Sequence, residues 1–193
     1  MNIEFEATFP GIDKKVLREK LKALNAKLIK KEFIQKRSVF HFPAGHQVAG
    51  GWVRVRDEVD TVTMSIKIID GDFIENQKEI CLSVDDYAQA ELFLQTLGCE
   101  KKAYQESKRE LWSLDNGEVM IDEWPFLEPF VEIEGASEES VKQISEKLGF
   151  KYEDALFCSV AELYEMKYGV SQDIINNQTP LIVFGSQNPF IQS

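Results

Sequence analysis

The segment Ile3-Glu4-Phe5-Glu6-Ala7-Thr8-Phe9 near the N-terminus alternates apolar and polar residues over its whole length. Successive side chains of a β-strand point to opposite faces, so Glu4, Glu6 and Thr8 share one face of a predicted strand. Two carboxylates two residues apart repel each other unless a cation lies between them. The polar face is therefore expected to look either into bulk water or into a polar chamber that holds a metal ion or basic side chains.

The same alternation recurs twice along the chain. Phe130-Val131-Glu132-Ile133-Glu134 repeats it with carboxylates, and Trp52-Val53-Arg54-Val55-Arg56 repeats it with arginines. Taken together, the polar faces of the predicted strands carry charges of both signs: Glu4, Glu6, Arg54, Arg56, Lys67, Glu79, Arg109, Asp122, Glu132 and Glu134. The recurrence favours one charged chamber over several separate solvated faces.

About eight strand-like segments and several amphipathic helices follow one another along the chain. An antiparallel sheet of that size removes its exposed edges by closing into a barrel. The predicted fold class is therefore α+β: an eight-stranded antiparallel β-barrel, or tunnel, with helices packed outside its apolar face. We predict the tunnel domain over residues 1–169. Residues 170–193 are predicted as a C-terminal tail or latch. Leu181–Phe184 either adds a strand or latches across the body, or else remains a loosely held tail.

Composition narrows the function. The 193 residues include 22 Lys and Arg against 33 Asp and Glu, a net charge of −11, which argues against a nucleic-acid surface. The three cysteines are scattered without metal-ligand or disulfide spacing. Neither a signal peptide nor an apolar run of membrane-spanning length is visible. We expect a cytoplasmic protein with no nucleic-acid or membrane partner, and leave a homodimer open.

Clustered basic residues beside clustered carboxylates match what a polyphosphate and its metal require. Guanidinium groups form paired hydrogen bonds to phosphate oxygens, and carboxylates bind Mg²⁺ or Mn²⁺ against the same phosphates. Ion pairing alone seldom offsets the cost of burying so many charges. A small-molecule polyphosphate is therefore the predicted partner.

These residues together resemble the CYTH family, also called triphosphate tunnel metalloenzymes. The similarity covers roughly residues 3–165 and rests on a set of short patterns: Glu4-x-Glu6, Arg54-x-Arg56, Lys67, Arg109 and Glu132-x-Glu134. The resemblance implies an eight-stranded antiparallel tunnel that binds a triphosphate with a divalent metal. It also implies roles for individual residues. The residues expected to contact phosphate are Arg54, Arg56, Lys67 and Arg109. Those expected to bind the metal are Glu4, Glu6, Asp122, Glu132 and Glu134. The expected catalytic residues are Glu4, Glu6 and Lys67, and Glu79 and Thr8 are expected to support the chamber.

The chain departs from the family at one position. The family's opening pattern is Glu-x-Glu-x-Lys, and Thr8 stands where its lysine belongs. Loss of that cation removes a phosphate contact or a proton-handling group. Arg37 on the next strand is a candidate to supply the missing charge, although nothing in the sequence shows that it points inward.

Three functions follow as alternatives. The first is metal-dependent hydrolysis of inorganic tripolyphosphate, a nucleoside triphosphate or thiamine triphosphate. The second is cyclisation of ATP to cyclic AMP, as in class IV adenylyl cyclases, and the third is triphosphate or polyphosphate binding without turnover. A fourth, purely structural interpretation has the charges only pair with one another, Arg54 and Arg56 with Asp57 or Glu58. Glu79 and Asp122 are each either metal ligands or partners that orient an arginine.

Overall fold

A ten-stranded sheet dominates the computed structural model, which describes residues 1–191. Its strands are β1 (Asn2–Ile3), β2 (Phe5–Pro10), β3 (Lys27–Phe40), β4 (Gly51–Asp57), β5 (Val62–Ile69), β6 (Gln77–Val84), β7 (Lys101–Leu114), β8 (Gly117–Glu123), β9 (Phe130–Gly135) and β10 (Leu181–Ile182). Four α-helices accompany them: α1 (Lys14–Ala23), α2 (Tyr87–Thr96), α3 (Glu138–Lys147) and α4 (Val160–Tyr168). Gln192 and Ser193, the end of the predicted tail, lie outside the described residues.

The N-terminal strand closes the barrel. The strand order is β1-β6-β5-β4-β3-β7-β8-β9-β2, so the two ends of the sheet are consecutive pieces of chain. β1 pairs with β6 and β2 with β9, while the amide of Glu4 between them donates to the carbonyl of Gln77 at 2.9 Å. With β1 and β2 counted as one interrupted strand, and β10 set apart as a short parallel addition, the predicted eight-stranded antiparallel barrel is confirmed.

Helices cover the apolar outer face of this barrel, as the alternation predicts. Ala7, Val119 and Ile133 pack with the buried residues of α1 and α3 in one core cluster. α2 covers the opposite wall, where Val53 and Val55 meet its buried side chains. Burial of each such large aliphatic side chain contributes roughly 1.5–3 kcal/mol, so the outer face holds the helices in place and leaves the charged face inside.

Strand β3 begins and ends earlier in the chain than the alternation of its residues indicates. The alternation suggests a strand over about Lys30–Phe42, whereas β3 spans Lys27–Phe40. Its pairing with β7 shifts register between Leu28 and Lys30 and again between Lys30 and Phe33. Such irregularities interrupt the period of two, so the sequence pattern is ambiguous there.

The C-terminal tail adds a strand, which is the first of its two predicted alternatives. β10 pairs in parallel with β7, Leu181 with Tyr104 and Ile182 with Gln105. β8 occupies the same side of β7 only from Lys108 onward, so β10 takes the adjoining place along that strand. Within residues 1–191, no helix is long and apolar enough to cross a membrane.

Candidate active site

The barrel encloses a cavity of about 740 Å³. Nine of the ten side chains predicted to face a chamber line it: Glu4, Glu6, Arg54, Arg56, Lys67, Glu79, Arg109, Glu132 and Glu134. The tenth, Asp122, is fully buried behind Arg109. The structure therefore brings the sequence-predicted set together around one space.

Charges of opposite sign come from opposite walls. The cations project from β3, β4, β5 and β7, and the carboxylates mostly from the N-terminal strand, β8 and β9. Within the basic wall, Arg37 of β3 is the direct cross-strand partner of Arg56 of β4. Like charges in such positions repel, which makes this wall suited to an anion.

The two arginines of β4 share a single carboxylate. Arg54 Nη2 lies 3.0 Å from Glu79 Oε1, and Arg56 Nη2 lies 4.0 Å from the same atom. Arg56 also lies 3.6 Å from Glu58, as the pairing alternative predicted, yet both arginines line the cavity. Burial, followed by the positive charge of Arg54, lowers the pKa of Arg56. Glu79 here orients arginines, and its service as a metal ligand stays a prediction.

Lys67 lies between the two glutamates of the opening strand. Its Nζ is 2.9 Å from Glu4 Oε2 and 3.1 Å from Glu6 Oε1. Burial lowers the pKa of Lys67, but the carboxylates of Glu6 and Glu4 outweigh it and the net pKa is raised, so the ammonium stays charged at neutral pH. Glu4 Oε2 accepts no hydrogen bond of good geometry, and burial followed by contact with Glu79 raises the pKa of Glu4.

Arg109 joins the basic wall to the acidic one. It donates to both oxygens of Asp122, at 2.8 and 2.5 Å, and its Nη2 lies 2.5 Å from Glu132 Oε2. Both Asp122 oxygens are thus engaged by the guanidinium. Asp122 positions Arg109 in this arrangement, and the metal-ligand role assigned to it remains a prediction.

Three carboxylates occupy one row across neighbouring strands. Glu134 is the direct partner of Glu6 on β2 and of Glu118 on β8. Burial, reinforced by the charges of Glu6 and Glu118, raises the pKa of Glu134 to about 7. No ion pair neutralises Glu134 within residues 1–191. A cation placed at this row would relieve the repulsion.

The carboxylates of the described residues are not arranged as a complete metal site. In the described part of the chain, no three His, Cys, Asp or Glu side chains are grouped closely enough to hold a metal ion. Lys67 keeps Glu4 and Glu6 engaged, and Arg109 does the same for Glu132. Their oxygen donors nevertheless suit a hard divalent cation, and the Glu6–Glu134–Glu118 row of neighbouring carboxylates fits one.

Arg37 is the strongest feature that sequence reasoning could not place. Its side chain lines the cavity at 6% exposure, donating to Ser107 Oγ at 2.7 Å and to the side-chain oxygen of Gln35. Among residues 1–191, Arg37 forms no ion pair, and its Nε has no hydrogen-bond partner. Burial, then the charges of Arg54 and Arg56, lowers the pKa of Arg37 well below its usual value. The sequence signal is ambiguous because Lys36 and Arg37 are adjacent and the register shifts earlier in β3.

Thr8 lies beside the acidic wall rather than on the cavity surface. It is 3% exposed and is the cross-strand partner of Glu132. On its other side, Thr8 exchanges two backbone hydrogen bonds with Leu156. A lysine at this position would start next to Glu132, and the supporting role in the chamber assigned to Thr8 stays a prediction.

Fold and charged interior together define a β-tunnel protein with a basic wall and an acidic wall. The CYTH domain model matches residues 1–160, and the chain belongs to the CYTH family. No curated protein matches the chain in sequence.

Several solved structures share the fold. A conserved hypothetical protein from Pyrococcus furiosus is similar with a TM-score of 0.68 and 21% identity, over 83% of this chain and 99% of that one. A candidate adenylate cyclase from Vibrio parahaemolyticus has a TM-score of 0.73 and 11% identity, over 84% and 97% of the two chains. A candidate adenylyl cyclase from Hippeastrum, described as having a dominant triphosphatase activity, has a TM-score of 0.55 and 14% identity, over 87% and 97%. At these identities the likeness establishes the shared fold.

Proposed function

We propose that this protein hydrolyses a small-molecule triphosphate inside the barrel, with Mg²⁺ or Mn²⁺. The observation that carries the proposal is Arg37, a buried guanidinium that lines the cavity beside Arg54 and Arg56 and has no ion-pair partner among residues 1–191. A buried charge of this kind is costly unless a counter-charge reaches it. A phosphate chain supplies that counter-charge, and the planar guanidinium matches its oxygens.

The basic wall binds the phosphates in this proposal. Arg37, Arg54 and Arg56 form a continuous cationic surface across β3 and β4, because Arg37 and Arg56 are directly paired. Lys67 and Arg109 border it and face the carboxylates. A phosphate oxygen would compete with Glu4, Glu6 and Glu132 for these two cations, which frees carboxylate oxygens of the acidic wall.

The freed carboxylates would hold the metal ion: Glu4, Glu6, Glu132 and Glu134, with Asp122 behind Arg109. The bound metal would neutralise charge developing on the phosphates and orient a water molecule at the terminal phosphorus. Two cations of the protein would position the phosphate chain. Asp122 fixes Arg109, and Lys67 lies between Glu4 and Glu6. Hydrolysis of this kind needs no covalent nucleophile on the protein.

Phosphate release separates hydrolysis from binding alone. Inorganic tripolyphosphate, ATP and thiamine triphosphate are supplied with Mg²⁺ or Mn²⁺, and we expect metal-dependent release of orthophosphate above background from at least one of them. Calorimetry measures the affinity for the same compounds. Measurable affinity without release would leave a binding module, and an Arg54→Ala variant with unchanged affinity would contradict the tunnel assignment.

Cyclisation of ATP is the second candidate, favoured by the structural neighbours described as candidate adenylate cyclases. In that reaction the ribose 3′-hydroxyl attacks the α-phosphorus and pyrophosphate leaves. Chromatography of the ATP reaction distinguishes the two, since cyclisation yields cyclic AMP with pyrophosphate and hydrolysis yields ADP with orthophosphate. The triphosphatase activity described for the Hippeastrum protein supports hydrolysis as the first choice.

A further inference from the structure

Amide side chains of the C-terminal segment (residues 170–190) line the same cavity as the charged walls. They are Gln172, Asn176 and Asn177. This segment follows residues 1–160, the part matched by the CYTH model, so its amides are additions beyond the matched domain. Part of it, Ile174–Gln178, forms a π-helical turn, an uncommon conformation that occurs frequently at functional sites.

The segment is fixed firmly beside the basic wall. Ile182 pairs with Gln105 of β7, and Gln105 is in turn the cross-strand partner of Arg37. Ile175 and Ile182 are 2% and 0% exposed in a core cluster shared with α4. The amides are therefore carried by a packed element near the phosphate-binding cations.

The hydrogen bonds of these amides leave their carbonyl oxygens available as acceptors, beside one unused N–H on Gln172 and one on Asn177. Gln172 Nε2 donates to Glu165 at 2.8 Å, and Asn177 Nδ2 donates to Asp173 at 2.7 Å. Their carbonyl oxygens remain as acceptors. In the described chain, the side chain of Asn176 makes no hydrogen bond and lines the cavity.

Two carboxylates extend the acceptor character of this region. Asp72 and Glu162 also line the cavity, and they are close enough for the charge of Asp72 to help raise the pKa of Glu162, after burial and Glu165. Glu165 in turn accepts from Gln172, which connects the carboxylates with the amides. A ligand group with N–H donors fits such surroundings.

The cavity has room for more than phosphates. At about 740 Å³ it falls within the roughly 300–1,000 Å³ of pockets that bury drug-sized ligands. We propose that Gln172, Asn176 and Asn177 recognise the amino group of a nitrogen heterocycle carried by the triphosphate. This inference rests on the proposed function, because it names the organic part of that substrate.

Matched nucleotide pairs test the recognition. ATP and inosine triphosphate, and likewise CTP and UTP, differ in an amino group against a carbonyl group. We expect kcat/KM to favour the amino member of at least one pair by about 3–10-fold, the worth of one neutral hydrogen bond. In a Gln172→Ala/Asn176→Ala/Asn177→Ala variant, that ratio should fall toward one. Gln178→Ala, a neighbouring amide that does not line the cavity, should keep it.

Inorganic tripolyphosphate distinguishes a failure of the proposed triphosphate hydrolysis from a failure of the amide recognition alone. Failure to hydrolyse or bind any triphosphate, tripolyphosphate included, would contradict the proposed function. Binding or hydrolysis with equal preference within both nucleotide pairs would overturn the amide recognition alone. If the triple variant and an Asn176→Ala variant both keep the preference for the amino nucleotide, the amide recognition is also overturned. If triphosphates bind without turnover, calorimetric affinities for the same pairs replace kcat/KM, and thermal denaturation verifies that each variant is folded.

Discussion

The guanidinium carbon of Arg37 lies 4.3 Å from the centroid of the Trp124 ring. The aromatic face stabilises a cation that has no carboxylate partner among residues 1–191, although such a contact is worth only about 0.5–2 kcal/mol. Trp124 is itself 3% exposed, so the pair is fixed from behind by the core. The guanidinium is thereby held at the cavity wall, where a bound phosphate would contact it.

Arg37→Met should weaken triphosphate binding and stabilise the free protein. The variant keeps the apolar contact with Trp124 but removes a buried charge whose desolvation the aromatic contact and the hydrogen bonds to Gln35 and Ser107 offset only in part. We expect affinity for tripolyphosphate to fall by about 10-fold or more, the loss of one charge-assisted hydrogen bond. Calorimetry and thermal denaturation measure the two effects. Lys36→Met, the exposed neighbour on β3, is the control, and a matching loss in that variant would contradict the assignment.

Thr8→Lys should raise turnover by restoring the family's cation next to Glu132. Thr8 is buried beside the acidic wall, so a lysine there would add positive charge near the reacting phosphates. We expect kcat to rise by about 10-fold or more, since a placed cation stabilises developing charge. Thr8→Met supplies similar bulk without charge. Unchanged kcat in a correctly folded Thr8→Lys variant would mean that another group already serves in its place.

Glu134→Gln should weaken activation by Mn²⁺. The substitution removes the carboxylate at the centre of the Glu6–Glu134–Glu118 row, and within residues 1–191 no ion pair neutralises Glu134. Even indirect partners of metal ligands alter metal affinity by roughly 10–100-fold, so a direct ligand should cost at least as much. The dependence of phosphate release on Mn²⁺ concentration reports the change. Glu138→Gln on α3 is the exposed control, and equal Mn²⁺ dependence in all three proteins would argue against this site.

The three cysteines should differ in reactivity. All are free; Cys81 is exposed, whereas burial, followed by Glu162 and Glu132, raises the pKa of Cys158 to about 12. Because the thiolate is the nucleophile, iodoacetamide at pH 8 should modify Cys81 at least about 10-fold faster than Cys158. Mass spectrometry of timed samples identifies the sites. Faster labelling of Cys158, tested again in Cys81→Ser, would be incompatible with its half-buried position and raised pKa.

Gln77→Ala should loosen the closure of the barrel. Gln77 Nε2 donates to the backbone carbonyl of Glu6 at 2.7 Å and is 1% exposed, which ties β6 to the N-terminal strand. Removing it leaves a buried carbonyl unsatisfied, at a cost of about 1–3 kcal/mol. Chemical denaturation measures the free energy of unfolding, with the exposed Gln95→Ala as control. Equal stability of the two variants would show that the closure does not depend on this contact.

Sequence periodicity determined which face of each strand is charged. Glu4 and Glu6, Arg54 and Arg56, and Glu132 and Glu134 each follow the two-residue period, which depends only on neighbouring residues. The same patterns indicated the barrel and the CYTH family. These patterns were sufficient because alternate side chains of a strand share one face, so all of them point into the barrel or all point outward.

The three-dimensional packing of the barrel determines which charged side chains contact one another. The inward position of Arg37 depends on the irregular pairing of β3 with β7, and the Glu6–Glu134–Glu118 row joins the N-terminal strand to β8 and β9 near the other end of the domain. The same holds for the amides of residues 170–190, which reach the cavity because β10 adjoins β7. Strand register and long-range pairing arise from the packing of the whole barrel, so no local pattern in the chain encodes them.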